Sequence, residues 1–246
     1  METSPGIINP WNGAPIRMVE RTSSTMDDAR ELARAGCPSG TVVVASYQEK
    51  GRGRVPGRVW SSAPGESLLA TVVVNLLETV FPLQQLSLRA GVAAALAVEE
   101  AAGIAPRIKW PNDLVFDGRK FAGLLCEAHG DVGLIGLGVN LTQTAFPPEL
   151  AGSACSLLQA SGRVVARLAL LASLLARLKD ALTDPGWREK LQARLYARGK
   201  QVSVDLLGSG RRASGILSDV DEQGRLVLRL GDGSLQCIEQ GELRTD

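Results

Sequence analysis

"RIKWPNDLVFDGRKFAGLLCEAHGDVGLIGLGVN", Arg107–Asn140, decides the fold. It holds four short apolar runs, RIKW, DLVF, FAGLLCEA and VGLIGLGV. Each has the length of a strand, and turn formers separate them. Asp117-Gly118, inside FDGRK, is the residue pair of a tight hairpin. Hairpin-linked strands run antiparallel, which argues against strict β-α-β winding.

Working upstream, "PLQQLSLRAGVAAALAVEEAAG" (Pro82–Gly103) predicts a long helix, with Pro near its start and Gly at its end. Its alanines suit close packing on a sheet. "LLATVVV" (Leu68–Val74) and "TVVVAS" (Thr41–Ser46) read as buried strands. "SSTMDDARELARAG" predicts a short helix with a stripe of Met26, Ala29, Leu32 and Ala33. Ser24 and Asp27 have the spacing of a capping box, and Gly36 suits the stop. Met1–Arg17 carries three prolines and predicts an extended arm reaching to about residue 20.

Downstream, Arg163–Leu182 and Trp187–Arg198 predict two helices. At Lys200 the texture changes to short alternating runs split by glycine-rich turns, the pattern of a small all-β barrel. The expected boundary lies near Gly199, giving units of residues 1–199 and 200–246. The fold class expected is α+β (mixed α/β): a central mixed sheet flanked by helices, plus a small C-terminal β-barrel.

Composition narrows the chemistry. The chain has 246 residues, 45% apolar and 22% charged, with net charge +1. That balance gives no bulk electrostatic case for nucleic acid or an anionic membrane, so anion binding must come from local clusters. No apolar run in the helical segments reaches the ~18 residues of a membrane span. Four cysteines without C-x-x-C spacing and one histidine, His129, argue against a Cys/His zinc site. Reduced thiols and no signal-like N-terminus point to the cytoplasm.

Four stretches could carry chemistry. "GRGRVPGRVW" (Gly51–Trp60) sets Arg52, Arg54 and Arg58 among glycines beside Trp60. It is neither G-x-G-x-x-G nor a Walker loop. Arginine forks suit carboxylate or phosphate and Trp60 offers a flat face; the alternative is a solvated loop with Trp60 as core anchor. "KWPNDL" places Lys109, Asn112 and Asp113 around a proline turn, where Lys109 and Asp113 could form a structural ion pair. Lys120 enters an apolar run, where a charge needs a partner. Only six of 27 basic residues are lysines, and Lys109 and Lys120 flank this turn. "GLIGLGVN" ends on Asn140, either a base-reading amide or the end of a buried strand.

In this order, "GRGR…GRVW", "KWPNDL", "GRKFAGLLCE" and "GLGVN" resemble the biotin–protein ligase family. The likeness runs from about Arg21 and includes "SST" (Ser23–Thr25) and "YQEKGRGR". It implies ATP-dependent formation of biotinyl-5'-AMP and transfer to a lysine of a biotin carboxyl carrier domain. The resemblance places Ser24, Thr25, Met26 and Gln48 around biotin, with Arg52, Gly53, Arg54, Lys120 and Gly123. It places Arg52, Arg54, Arg58, Trp60, Lys109, Asn112, Lys120 and Asn140 around ATP. Lys120, Arg54 and Asp113 would be catalytic, and Mg²⁺ would arrive on the ATP phosphates. A homodimer is compatible with the resemblance. The Pro-rich N-terminus leaves no room for a DNA-binding module, so no repressor activity is expected. Two residues, Val55 and Pro56, stand between GRGR and Gly57-Arg58, where the family usually has one. That spacing sets the register of Arg58. Rival readings are a lipoate–protein ligase and a catalytically idle binding module.

Overall fold

A computed structural model describes residues 7–79, 81–208 and 210–245. In chain order the first elements are β1 (Ile16–Thr22), α1 (Thr25–Arg34) and β2 (Val42–Gln48). A small ribbon follows, β3 (Gly51–Arg52) and β4 (Val59–Trp60), then β5 (Ser67–Asn75) and α2 (Gln85–Ala102). The Arg107–Asn140 stretch forms β6 (Arg107–Lys109), β7 (Asp113–Phe116), β8 (Arg119–His129) and β9 (Val132–Asn140). Helices α3 (Leu157–Ser161), α4 (Arg167–Thr183) and α5 (Trp187–Arg194) come next. Five strands close the chain: β10 (Gln201–Leu206), β11 (Arg212–Val220), β12 (Leu226–Arg229), β13 (Leu235–Ile238) and β14 (Gly241–Arg244).

The large sheet has seven strands in the order β1-β2-β5-β9-β8-β7-β6. Only the β1–β2 pair is parallel; every other neighbour is antiparallel, as the hairpin signals require. The second sheet is antiparallel in the order β13-β12-β11-β10-β14. No helix among the described residues is long and apolar enough to cross a membrane.

Period-two alternation gives the large sheet two different faces. Ala70, Val72, Val74, Ile135 and the alanines of α2 belong to the main core, together with the leucines of α4. The other face carries a small cluster only: Met26, Ala29, Val43, Val73 and Leu134, all beneath α1. Beyond that short helix the second face of β8 and β9 is not roofed by α2 or α4. The site lies there.

Three expectations need correction. The arm packs on the domain through Asn9 and Trp11, and Ile16–Thr22 is a sheet strand rather than an extended tail. Asn9 explains why: buried, it donates to Ala14 O (2.9 Å) and Gly40 O (2.8 Å) and accepts from Trp11 N (3.0 Å). The capping box at α1 is absent; Ser24 is the N-cap but its side chain makes no cap bond. Asp27 has stronger partners in Arg30 and Arg52. A capping box forms instead at Ser156 and Gln159. The last helix stops at Arg194, before Ala197 takes a positive φ.

Removing the Asn9 amide strands buried backbone acceptors. Asn9→Ala should cost about 1–3 kcal/mol. Urea denaturation checks this, with a lowered midpoint and an unchanged slope.

Candidate active site

The floor of the site is made of glycines. On the side of the sheet that carries α1, β9 presents Leu134, Gly136 and Gly138, and β8 presents Gly123 and Leu125. The register sets Gly123 beside Gly138 and Leu125 beside Gly136. A Cβ on Gly136 would stand 2.7 Å from Met26 Sδ, and one on Gly138 would stand 2.6 Å from Trp60 Cε2. Side chains at these two positions would therefore displace Met26 or the Trp60 ring. The two rows are two residues apart, about 7 Å along the strand.

The row of Gly136 is the uncharged polar end. Ser24 and Thr25 are buried at the start of α1. Thr25 N donates to Gln48 Oε1 at 2.8 Å, and the Thr25 hydroxyl donates to the same oxygen at 2.9 Å. A backbone N–H can only donate, so this contact fixes which way the Gln48 amide lies. Gln48 therefore keeps its NH₂ for other partners. Thr25, with its hydrogen committed, offers only oxygen lone pairs.

The row of Gly138 is the charged, aromatic end. Trp60 lies over Gly138, and Lys120 Nζ is 5.6 Å from its ring centroid. The indole N–H of Trp60 is buried without a hydrogen-bond partner. Lys120 reaches this face because of an irregularity: Leu114 pairs with Ala122, but the next residue, Val115, pairs with Lys120. Such a bulge re-aims a side chain, so Lys120 and Gly123, three residues apart, share a face. Phe121, between them, is fully buried on the core side. Lys120 Nζ is 2.7 Å from Asp113 Oδ1. The Lys109–Asp113 ion pair entertained from the sequence is replaced by this one.

Three fixed points hold the arginine loop. Arg52 makes a two-pronged contact with Asp27 (2.9 and 2.8 Å) on α1. Arg58 makes another with Glu242 (2.6 and 2.9 Å) on β14. Between them Arg54 donates to Gly241 O (2.7 Å) and to Asn112 Oδ1 (3.3 Å). Asn112 is itself locked, its NH₂ donating to Leu124 O at 2.7 Å. Burial pushes the Arg54 guanidinium below the usual arginine range, opposed by the nearby Asp113 charge. It stays protonated at neutral pH.

These elements line one open cleft. Ser24, Thr25, Met26, Gln48, Arg52, Gly53, Arg54, Lys120 and Gly123 line it, as do Trp60 and Asn112. Arg58, Lys109 and Asn140 do not. Arg58 is turned to Glu242. Asn140 is buried, its NH₂ donating to Cys155 O (3.1 Å) while its Oδ1 accepts from Gln143 (3.3 Å). Asp113 touches the site through Lys120. The sequence reading missed Leu124, Leu125, Gly136, Leu137 and Gly138. Glycines two apart in GLGV were the available signal, since alternation places them on one face.

Asp27 anchors the loop as a carboxylate, and its pKa is lowered chiefly by the hydrogen bonds from Arg52. The contribution is complete above the ordinary carboxyl value and is lost as pH falls through the depressed one. Asp27→Asn should speed tryptic cleavage after Arg52 and Arg54 severalfold at neutral pH, with unchanged far-UV circular dichroism. Gel-resolved limited proteolysis checks this.

Residues 18–140 match the profile of the Biotin/lipoate A/B protein ligase family. Among relatives, the bifunctional ligase/repressor BirA of Bacillus subtilis is 36% identical over 86% of this chain and 68% of its own length. The biotin–[acetyl-CoA-carboxylase] ligase of Mycobacterium tuberculosis is 33% identical over 93% of this chain and 88% of its own. Among solved structures, the biotin protein ligase of Aquifex aeolicus in complex with biotin and ATP superposes with a TM-score of 0.82. It is 29% identical and covers 94% of this chain and 99% of its own. An alternating glycine floor, a Ser-Thr helix start and an arginine loop over one sheet face are thus found in a chain that belongs to the biotin/lipoate A/B protein ligase family.

Proposed function

We propose that this chain joins biotin to AMP using ATP and passes the biotinyl group to a lysine ε-amine on a biotin carboxyl carrier domain. The observation that carries this reading is the order of groups along the glycine floor. Uncharged hydrogen-bonding groups stand at the Gly136 row, and cations with an aromatic face stand at the Gly138 row. Biotin has a ureido head with N–H donors and a C=O acceptor, then an apolar chain ending in a carboxylate. Gln48 N–H and the Thr25 lone pair complement that head. The dithiolane ring of lipoate offers nothing for them to bond, and a site built to hydrogen-bond discriminates against a ligand that cannot.

In the first step a carboxylate oxygen of biotin attacks the α-phosphorus of ATP. The bond to the β-phosphate oxygen breaks and pyrophosphate leaves. Two like unit charges 4 Å apart repel by about 4 kcal/mol at an effective dielectric of 20, so cations must stand there beforehand. Lys120 and Arg54 are those cations, and both line the cavity. Their placement in advance costs no reorganisation at the moment of reaction. Trp60 would pack against the adenine. In the second step the carrier amine attacks the acyl carbon and AMP leaves. Asp113 holds Lys120 until phosphate arrives and can then orient the amine. Asp113 also supplies the hard carboxylate oxygen that suits Mg²⁺, which is commonly held by one or two carboxylates plus substrate phosphates. When bound, Mg²⁺ neutralises pyrophosphate charge.

Two parts of this reading rest on other observations. A division into units 1–199 and 200–246 is supported by the change of sheet at Gln201. A cytoplasmic location is supported by four unpaired cysteines.

Incubation with ATP, Mg²⁺ and either biotin or lipoate should release pyrophosphate and form an acyl-adenylate with biotin. Adenylate with lipoate alone would replace this reading by the lipoate one, and none with either would leave a binding module. Lys120→Ala should cut adenylate formation about 10²–10³-fold with the fold intact.

A further inference from the structure

Thr71 is the polar exception on an apolar row. On the α1 side, β5 presents Leu69, Thr71 and Val73, all buried. Val73 packs with Met26, Ala29 and Leu134. Thr71 pairs in register with Gly136, the floor glycine beneath Met26. Its hydroxyl is fully buried and lies 2.8 Å from Thr25 Oγ1.

The direction of this contact follows from the chain of partners. Thr25 N–H fixes Gln48 Oε1, and Oε1 can only accept. The Thr25 hydroxyl gives its single hydrogen to that oxygen. Thr71 must then be the donor to Thr25 Oγ1. One hydroxyl proton after another points the same way, from Thr71 through Thr25 to Gln48. Aligned hydrogen bonds polarise one another in a low-dielectric interior. The end of the relay is the Gln48 NH₂, made a better donor and held in one orientation. Thr25 keeps one lone pair for a ligand, in a rotamer held by Thr71.

From this we infer that Thr71, which does not line the cavity, is a positioning residue for recognition of the ureido head. It acts through Thr25 on Gln48. The inference rests on the biotin reading above. It assigns Thr71 no contact with the nucleotide, so its effect belongs to one substrate.

The test is steady-state pyrophosphate release by the full chain, with biotin and ATP varied separately. Thr71→Val keeps the β-branched shape and removes the donor. Its KM for biotin should rise about tenfold, the cost of leaving a buried hydroxyl oxygen without its donor. KM for ATP and kcat should stay within about twofold, since the cation end is untouched. Thr71→Ser keeps the hydroxyl and should restore biotin KM. In a Gln48→Ala background, Thr71→Val should add little, because coupled residues are not additive. Equal rises in both KM values, or full additivity with Gln48→Ala, would make Thr71 a packing residue and overturn the assignment. So would an unchanged biotin KM. If Thr71→Val fails to fold, Thr71→Ala, which adds no methyl against Thr25, carries the same comparison. A wild-type chain inert with biotin and ATP overturns the underlying reading as well; an active wild type with an insensitive Thr71→Val overturns this inference alone.

Discussion

The glycine floor is the constraint on which the rest depends. A sheet buries one face easily; α2 and α4 cover one side of this one with alanine and leucine. The other side needs bare backbone if flat groups are to lie on it. Gly136 and Gly138 leave that space, and Met26 and the Trp60 ring already press into it. Because β8 and β9 are paired in register, the bare strip also sets distances. Hydrogen-bonding groups gather at one row and cations at the next.

The second requirement is charge held where water would otherwise disperse it. Three arginines on a glycine-rich loop would be mobile alone. Carboxylates from two elements far apart in sequence, Asp27 on α1 and Glu242 on β14, take the outer two. The middle one, Arg54, is half-buried between Asn112 and Gly241 O. The C-terminal sheet thus belongs to the structure of the site. It is also joined to the large unit by Trp110 Nε1 donating to Gly224 O (3.1 Å) and by Arg188 binding Asp219 (2.9 Å).

Much of this was legible in the sequence. Alternation and hairpin residues identified β6–β9 because local chain chemistry sets strand identity. The cavity-lining residues at Ser24–Met26, Gln48, Arg52–Arg54, Lys120 and Gly123 sit in short motifs, each a contiguous piece of one loop or strand end. Leu125 and Gly136 were missed because only sheet pairing brings them to the same row. The helix cap was misread for a related reason: Asp27 has capping spacing, but the partners it prefers come from elsewhere in the chain.

By itself the sequence determined the strands, the helices, the glycine alternation and the motifs of a ligase family, since each is written in neighbouring residues. Only the tertiary structure showed how Lys120 comes to face the site, through a bulge at Leu114/Val115 that overrides simple alternation. It decided that Asp113 pairs with Lys120 and not Lys109. It decided that Arg58 is held by Glu242, 184 residues away. Those outcomes depend on pairing between distant segments, and no local pattern encodes which distant partner the fold brings within reach.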